Sequence, residues 1–219
     1  GDNCDVYLQM AKNKELDIDI YAYPDIQQAR DYLLKNKNGV AISNLSSSRA
    51  LRDVTRNHNS EYFASAVGEV NVVNQMTAVE AVIGGEGNGG IIYPASHYGR
   101  DALVGIGLFL THLAKFGKSI SMLRASYPNY YISKNKIELT PEIDVDKILL
   151  EIKNKYKKHP INDIDGVKIE FEKEWVHLRK SNTEPIIRIY SESDSEATAE
   201  HLAKKIIQDI KEVVSASLI

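Results

Sequence analysis

The sequence predicts an α/β fold: a layered α/β domain with a mixed sheet, then a small α+β domain with an antiparallel sheet. Three observations predict it. Short apolar runs alternate with amphipathic helical periods through the first part of the chain, and the texture turns polar near 134–142. Afterwards the order becomes helix, strand-like segments, helix. The domains are placed at 1–138 and 139–219, with residues 1–24 fitting no element.

In chain order, Asp25 to Lys35 has the period of an amphipathic helix, with Pro24 before it and Gly39 after it. Val40-Ala41-Ile42 is an apolar run of buried-strand type. Ser47 is expected to cap a helix reaching about Asn57, with Ala50, Leu51 and Val54 on one face. Tyr62 to Val67 and Ala81 to Ile83 are further strand candidates. Asp101 to Lys115 is a strongly apolar helix that stops before Gly117. The polar stretch Lys134 to Glu138, followed by Pro141, reads as a linker. A helix from Asp144 to Tyr156 follows, then strands at Gly166–Phe171, Trp175–Leu178 and Ile186–Tyr190. Glu196 to Val213 closes the chain as an amphipathic helix, with Ala203, Ile206, Ile207 and Ile210 on one side.

Composition narrows the function classes. The net charge of −3 arises from 27 basic and 30 acidic side chains spread over both domains. Neither half carries the basic excess that draws in a nucleic-acid backbone. The single cysteine, Cys4, excludes intramolecular disulfides and thiolate zinc sites. No apolar run approaches the roughly 20 residues needed to span a bilayer. The six histidines show no metal-ligand spacing. The chain is expected to be cytoplasmic, with no nucleic-acid or membrane partner. The start Gly1-Asp2-Asn3-Cys4-Asp5 lacks a signal-type core and is expected to be a boundary within a longer protein.

Two loops stand out. Gly84-Gly85-Glu86-Gly87-Asn88-Gly89-Gly90 places five glycines in seven positions, so its backbone must go where side chains do not fit. Gly85-x-Gly87-x-x-Gly90 formally matches a dinucleotide fingerprint. However, the loop runs into Ile91-Ile92-Tyr93-Pro94 rather than opening a helix, and no acid follows about 20 residues on. The carboxylate of Glu86 can accept from hydroxyls, and the carboxamide of Asn88 can donate and accept, a pairing suited to a polyol. A plain surface turn with solvated polar residues fits the same spacing. The second loop is Leu178-Arg179-Lys180-Ser181-Asn182-Thr183-Glu184-Pro185-Ile186-Ile187-Arg188. Two guanidinium groups, two hydroxyls, a carboxamide and main-chain amides are the inventory of a phosphate site. A hairpin with incidental charges is the alternative.

Taken together, these segments resemble the α-D-phosphohexomutase superfamily. Gly85 to Gly90 resembles the sugar-binding loop of its third domain, and Arg179 to Pro185 the phosphate-binding loop of its fourth. Ser43 to Arg49, Val67-Gly68-Glu69-Val70, Tyr98-Gly99-Arg100-Asp101 and Asp165-Gly166-Val167 are also similar to the family, and the resemblance runs from about Asp25 onward. It implies that a phosphoserine exchanges a phosphoryl group with a hexose phosphate, whose bisphosphate turns over in one cleft. Glu86 and Asn88 would then hold ring hydroxyls. Arg179, Ser181, Asn182, Thr183 and Arg188 would hold the phosphate that is not reacting, and Glu69 and Arg100 would line the cleft.

The departures from the family pattern are equally informative. The Ser-His-Asn-Pro motif of the family's first domain and the Asp-x-Asp-x-Asp-Arg loop of its second are both missing from the sequence. The resemblance therefore implies a partner, the N-terminal domains of the same protein. It also implies Mg2+ in the full-length enzyme, with ligands outside this chain, and no cofactor in the fragment, which is expected to bind without turnover. Ser46-Ser47-Ser48 is read as helix-capping rather than nucleophilic, His97 as a possible substrate contact, and His177 and Trp175 as structural. The Gly-Glu-Gly-Asn-Gly-Gly form looks most like phosphoglucosamine mutases. Phosphomannomutase or phosphoglucomutase specificity, or a non-catalytic phosphosugar-binding module, remain the alternatives.

Overall fold

The computed structural model describes residues 39–140, 142–181 and 184–217. The helix expected at Asp25–Lys35 lies outside them. The chain divides into two compact units, Gly1–Asn129 and Tyr130–Ile219.

The first unit holds a five-stranded mixed sheet in the order β2-β1-β3-β4-β5. Its strands are β1 (Ala41–Asn44), β2 (Tyr62–Ser65), β3 (Ile83–Gly85), β4 (Ile91–Tyr93) and β5 (His97–Arg100). β1 pairs in parallel with β2 and β3, whereas β3–β4 and β4–β5 are antiparallel. β1 is an interior strand buried on both faces, which is why its sequence is a short run without polar alternation until Ser43.

Helices α1 (Ala50–Asn57), α2 (Glu69–Ala78), α3 (Ala102–Phe116) and the short α4 (Ile120–Ala125) complete this unit. Ala41, Leu51, Ile83 and Ile91 form one core cluster, joined by Leu108 of α3. Ile42, Val72, Met76, Ala81 and Ile92 form another. Because Ala41 and Ile42 point to opposite faces of one strand, α1 and α3 cover one face and α2 the other. Gly84 is required on the α2 face: a Cβ there would collide with the Met76 sulfur. Asp101 caps α3 by accepting from the Val104 N–H at 3.0 Å, and Gly117 ends it in the left-handed region at φ 69°.

The expected cap by Ser47 is not what forms. Arg49 occupies the N-cap position of α1 without a side-chain bond. The Ser48 hydroxyl accepts from Ala50 N, while the Ser47 hydroxyl donates to Asn44 Oδ1 at 2.9 Å. The chain makes an extra turn before the helix, so the capping hydroxyl sits one residue later and Ser47 serves the site described below.

The second unit is a five-stranded antiparallel sheet in the order β6-β10-β9-β8-β7. Its strands are β6 (Tyr131–Glu138), β7 (Ile161–Asn162), β8 (Val167–Glu170), β9 (Trp175–Lys180) and β10 (Ile186–Ser193). Helices α5 (Val145–Lys155) and α6 (Glu196–Ser217) pack on one sheet face. There Ile148, Leu149, Ile152, Ile206 and Ile210 meet Val167, Ile169, Val176, Leu178, Ile187 and Ile189. Tyr156 Oη donates to Asp209 Oδ2 at 2.5 Å and Lys155 Nζ lies 2.7 Å from Oδ1, tying the end of α5 to α6. Burial and the Asp209 carboxylate both push the Tyr156 phenol above its ordinary range.

The linker expected at 134–142 is instead largely β6, which pairs with β10 over eight residues from Tyr131 to Glu138. β6 is an edge strand, and its Lys134, Asn135 and Lys136 are the polar dressing an edge carries against unwanted pairing. That dressing is what made the segment look like a linker. Among the described residues, no helix is long and apolar enough to cross a membrane.

Candidate functional site

In the first unit the glycine loop is the turn of the β3–β4 hairpin. Glu86 N donates to Gly90 O at 3.1 Å and Gly89 N to Glu86 O at 3.2 Å, with Gly89 at φ 88°. The loop thus joins antiparallel strands and presents no helix N-terminus, which removes the dinucleotide reading. Gly90 is needed for space, because a Cβ there would come within 2.6 Å of Arg100 Cδ.

Glu86 is buried at 6% exposure, unusual for a loop carboxylate, and its surroundings explain why it is tolerated. Its Oε1 accepts from Asn44 Nδ2 at 2.8 Å and from Gly68 N at 3.1 Å. Its Oε2 lies 3.9 Å from Arg100 Nη1. Arg100 is itself held by Glu69, the first residue of α2: Nε donates to Glu69 Oε2 at 2.8 Å, and the Arg100 N–H to Oε1 at 3.2 Å. Glu69, Glu86 and Arg100 are therefore gathered into one network. The carboxylate does not offer both oxygens, however. One is consumed by the scaffold, so Oε2 is the oxygen left beside the arginine.

Asn88 is exposed, and its Oδ1 accepts from Gly90 N at 3.1 Å, closing a small turn. Its amino group is the remaining polar handle. His97 was expected as a possible substrate contact, yet both ring nitrogens are engaged. Nδ1 accepts from Gly99 N at 2.9 Å, so Nε2 carries the hydrogen and donates to Asp101 Oδ2 at 3.0 Å. The cap bond from Val104, followed by His97, holds the Asp101 carboxyl below its ordinary range.

Sequence reasoning missed Asn44. Its Oδ1 accepts from Ser46 N at 3.1 Å and from the Ser47 hydroxyl, which fixes the amide so that Nδ2 faces Glu86. It lies in the family-like segment Ser43 to Arg49, and an asparagine ending a buried strand, where an apolar residue would be ordinary, is a second signal, but neither assigns it a role.

In the second unit, Arg179 and Arg188 are directly opposite each other on β9 and β10 and so lie on one face. Lys136 of β6 is the next residue across, paired with Glu138 at 2.8 Å, which raises its pKa. Arg188 is exposed and makes no ion pair among the described residues. Arg179 Nε lies 2.7 Å from Asp165 Oδ2; the N–H points off this line, so charge attraction rather than a directed bond holds the pair. Ser181 is buried, its N–H donating to Ile186 O at 3.0 Å. Asn182 and Thr183 lie outside the described residues. Lys180 points the other way, to Asp146 at 2.7 Å. Asp165 lies in a family-like segment, but its ion pair with Arg179 and its bond from His177 carried no sequence signal.

The comparisons with known proteins agree across both units. The family model for the phosphoglucomutase/phosphomannomutase α/β/α domain III matches residues 27–131, and that for the C-terminal domain matches 137–209. A phosphoglucomutase/phosphomannomutase of Thermococcus kodakarensis is 34% identical over 184 residues, covering 83% of this chain and 40% of the relative. A phosphoglucosamine/phosphogalactosamine mutase of Sulfurisphaera tokodaii is 33% identical over 189 residues, covering 84% and 41%. A crystal structure of a phosphoglucomutase/phosphomannomutase family protein from Burkholderia thailandensis superposes with a TM-score of 0.71 at 23% identity, covering 87% of this chain and 42% of that one. The chain thus spans about 40% of the length of the curated relatives it matches. With both domain models matched in order over the two units, the chain belongs to the phosphohexomutase family, of which it carries the third and fourth domains.

Proposed function

We propose that this chain is the substrate-binding half of a phosphohexomutase that moves a phosphoryl group between the 1- and 6-positions of a hexose phosphate, with glucosamine phosphate as the substrate. The observation that carries the reading is the Glu86 carboxylate, buried and tied at Oε1 by Asn44 and Gly68, with Oε2 beside Arg100. Such an oxygen, held in a low-dielectric setting, is an acceptor for a ring hydroxyl, and the Asn88 amino group is a donor to another. Arg179 and Arg188, with Ser181, Asn182 and Thr183, are assigned to the phosphate that is not reacting. Gripping a non-reacting group orients the reacting end at no chemical step of its own.

The nucleophile and metal loop belong to N-terminal domains of the same protein. Among the described residues no three His, Cys, Asp or Glu side chains gather to hold a metal. Mg2+ is assigned to those N-terminal domains of the full-length enzyme, and no cofactor to this chain. The chain alone is assigned binding without turnover, in the cytoplasm, without nucleic-acid or membrane partners. Relatives named phosphoglucosamine mutase favour the amino sugar, while the Thermococcus relative's name keeps phosphoglucomutase or phosphomannomutase specificity as the second reading.

Calorimetry with glucosamine, glucose and mannose 6-phosphates, alongside NAD and ATP, tests the class. Binding of NAD or ATP and not of hexose phosphates would overturn it. Activity of the full-length protein on the three sugar phosphates ranks the substrates. A reading frame without the upstream serine and aspartate motifs would leave a phosphosugar-binding module in place of an enzyme.

A further inference from the structure

In the second unit, a turn carrying Asp165 is set between His177 and the guanidinium of Arg179. Asp165 and Gly166 form the turn that enters β8. Gly166 has φ 73°, and a Cβ there would collide with the carbonyl of Leu178, so the turn lies directly against β9 one residue before Arg179. His177 is on the same face of β9 as Arg179, two residues earlier, and is 2% exposed. Its Nε2 lies 2.7 Å from the Asp165 carbonyl oxygen. A carbonyl can only accept, so this nitrogen carries the hydrogen and donates. The same residue, Asp165, turns its carboxylate to Arg179 Nε at 2.7 Å.

We propose that His177 is a positioning residue for Arg179: through the Asp165 carbonyl it fixes the turn whose carboxylate holds Nε, and so aims the terminal nitrogens of the guanidinium at an incoming phosphate. The inference rests on the reading of Arg179 as a phosphate ligand. The Nε–Oδ2 pair is off the hydrogen-bond axis, so it constrains the guanidinium only as firmly as the backbone of Asp165 is held. Gly166 lets that backbone approach β9, and His177 pins it there. An arginine fixed beforehand has less rotamer freedom to lose when an anion binds. Burial holds the His177 pKa down to about 4, so near neutral pH the ring is a neutral donor and adds no second cation beside Arg179.

The test compares glucosamine 6-phosphate affinity by calorimetry in the 219-residue chain and its variants. His177→Leu keeps a similar volume and deletes the donor, and Asp165→Asn deletes the charge. Both are expected to weaken binding about tenfold, whereas His177→Gln, whose amide can occupy the place of imidazole Nε2, stays within about twofold of wild type. In an Arg179→Ala background, His177→Leu should cost nothing further, since a residue acting through Arg179 has nothing left to position. An undiminished loss in that background, or wild-type affinity in both His177→Leu and Asp165→Asn while Arg179→Ala is weakened, overturns the proposal. The Arg179 Nε–Hε resonance in ligand-free protein separates the two readings. Unaltered Arg179→Ala affinity refutes the phosphate role, and an Nε–Hε signal unmoved by either His177→Leu or Asp165→Asn refutes the positioning.

Discussion

Acidification should destabilise the second unit through one side chain, and the size of the effect follows from its surroundings. His177 is buried between β8 and β10, and desolvation is the largest influence lowering its pKa from 6.5 to about 4, aided by the cations Lys168 and Arg179 and opposed by the Asp165 carbonyl and carboxylate. A folded-state value below the unfolded one means that the unfolded chain takes up the proton more readily. The contribution of the neutral ring is therefore present above pH 6.5 and is lost as pH falls from there toward 4. With 6.5 unfolded and about 4 folded, the loss amounts to about 2 kcal/mol at pH 5 and levels near ~3 kcal/mol below both values. The sole tryptophan, Trp175, is fully buried two residues away on the same strand and reports unfolding of this unit by its emission. Urea titrations of wild type and His177→Gln, which does not titrate, at pH 7.5, 6 and 5 isolate the histidine's contribution. Carboxylates with lowered pKa values, such as Asp101 and Asp163, act at lower pH and are common to both proteins. The raised pKa values of Lys136, Lys155 and Lys180 matter only in the alkaline range. A stability difference between the two proteins that stays constant from pH 7.5 to 5 would refute the claim that His177 is buried neutral.

Three further outcomes are expected. Glu86→Ala should weaken glucosamine 6-phosphate binding by about 1.5–3 kcal/mol, the range for bonds to a charged group, while inorganic phosphate affinity is unchanged; equal loss of both by calorimetry would mean the sugar loop is misassigned. Gly166→Ala should destabilise the second unit by about 3 kcal/mol or more, since the new methyl meets the Leu178 carbonyl at a positive φ; a Trp175-monitored midpoint equal to wild type would contradict it. Asp144 accepts from the Asp146 and Lys147 amides at the start of α5, so Asp144→Ala should cost about 1 kcal/mol in the same assay, and no loss would show the cap to be replaced by water.

The parts of the fold that were legible in the sequence are those whose residues obey one period over several turns. Helix α3 has its capping Asp101 and terminal Gly117, and α5 and α6 have apolar stripes that the sheet buries. The misreadings fall where tertiary pairing overrides local composition. β6 looks like a linker because an edge strand carries lysines, and the two-residue β7 is too short to show a period at all. Ser47 looks like a cap because serine before a helix ordinarily is one; here its hydroxyl is drawn to Asn44, a contact set by the strand's neighbour and not by the helix. At the sites, Glu86 could be named from the glycine loop and Glu69 and Arg100 from the family resemblance, and the structure brings the three together. Asn44 and Asp165 lie in family-like segments and His177 reads as structural, but none receives its role from the sequence, because each acts across 12 to 42 residues on a partner that the sequence does not mark.

Those three residues share a logic that recurs in both units. Asn44 and Gly68 occupy one oxygen of Glu86, and the Asp165 carboxylate sits against the inner nitrogen of Arg179 by charge attraction. In each case a group that could make several bonds to a ligand gives part of its capacity to the scaffold. The surrender lowers the number of contacts available, but it also fixes the direction of those that remain, and ordering a flexible side chain at the moment of binding is costly. Under the proposed function, in which the carboxylate takes hydroxyls and the guanidinium a phosphate, direction is what would distinguish one sugar epimer from another, because the charge alone is blind to it. A loop built for affinity alone would leave both groups mobile and solvated. That Glu86 is instead desolvated to 6% exposure, with two donors on one oxygen, is the arrangement expected where orientation has been favoured over contact number.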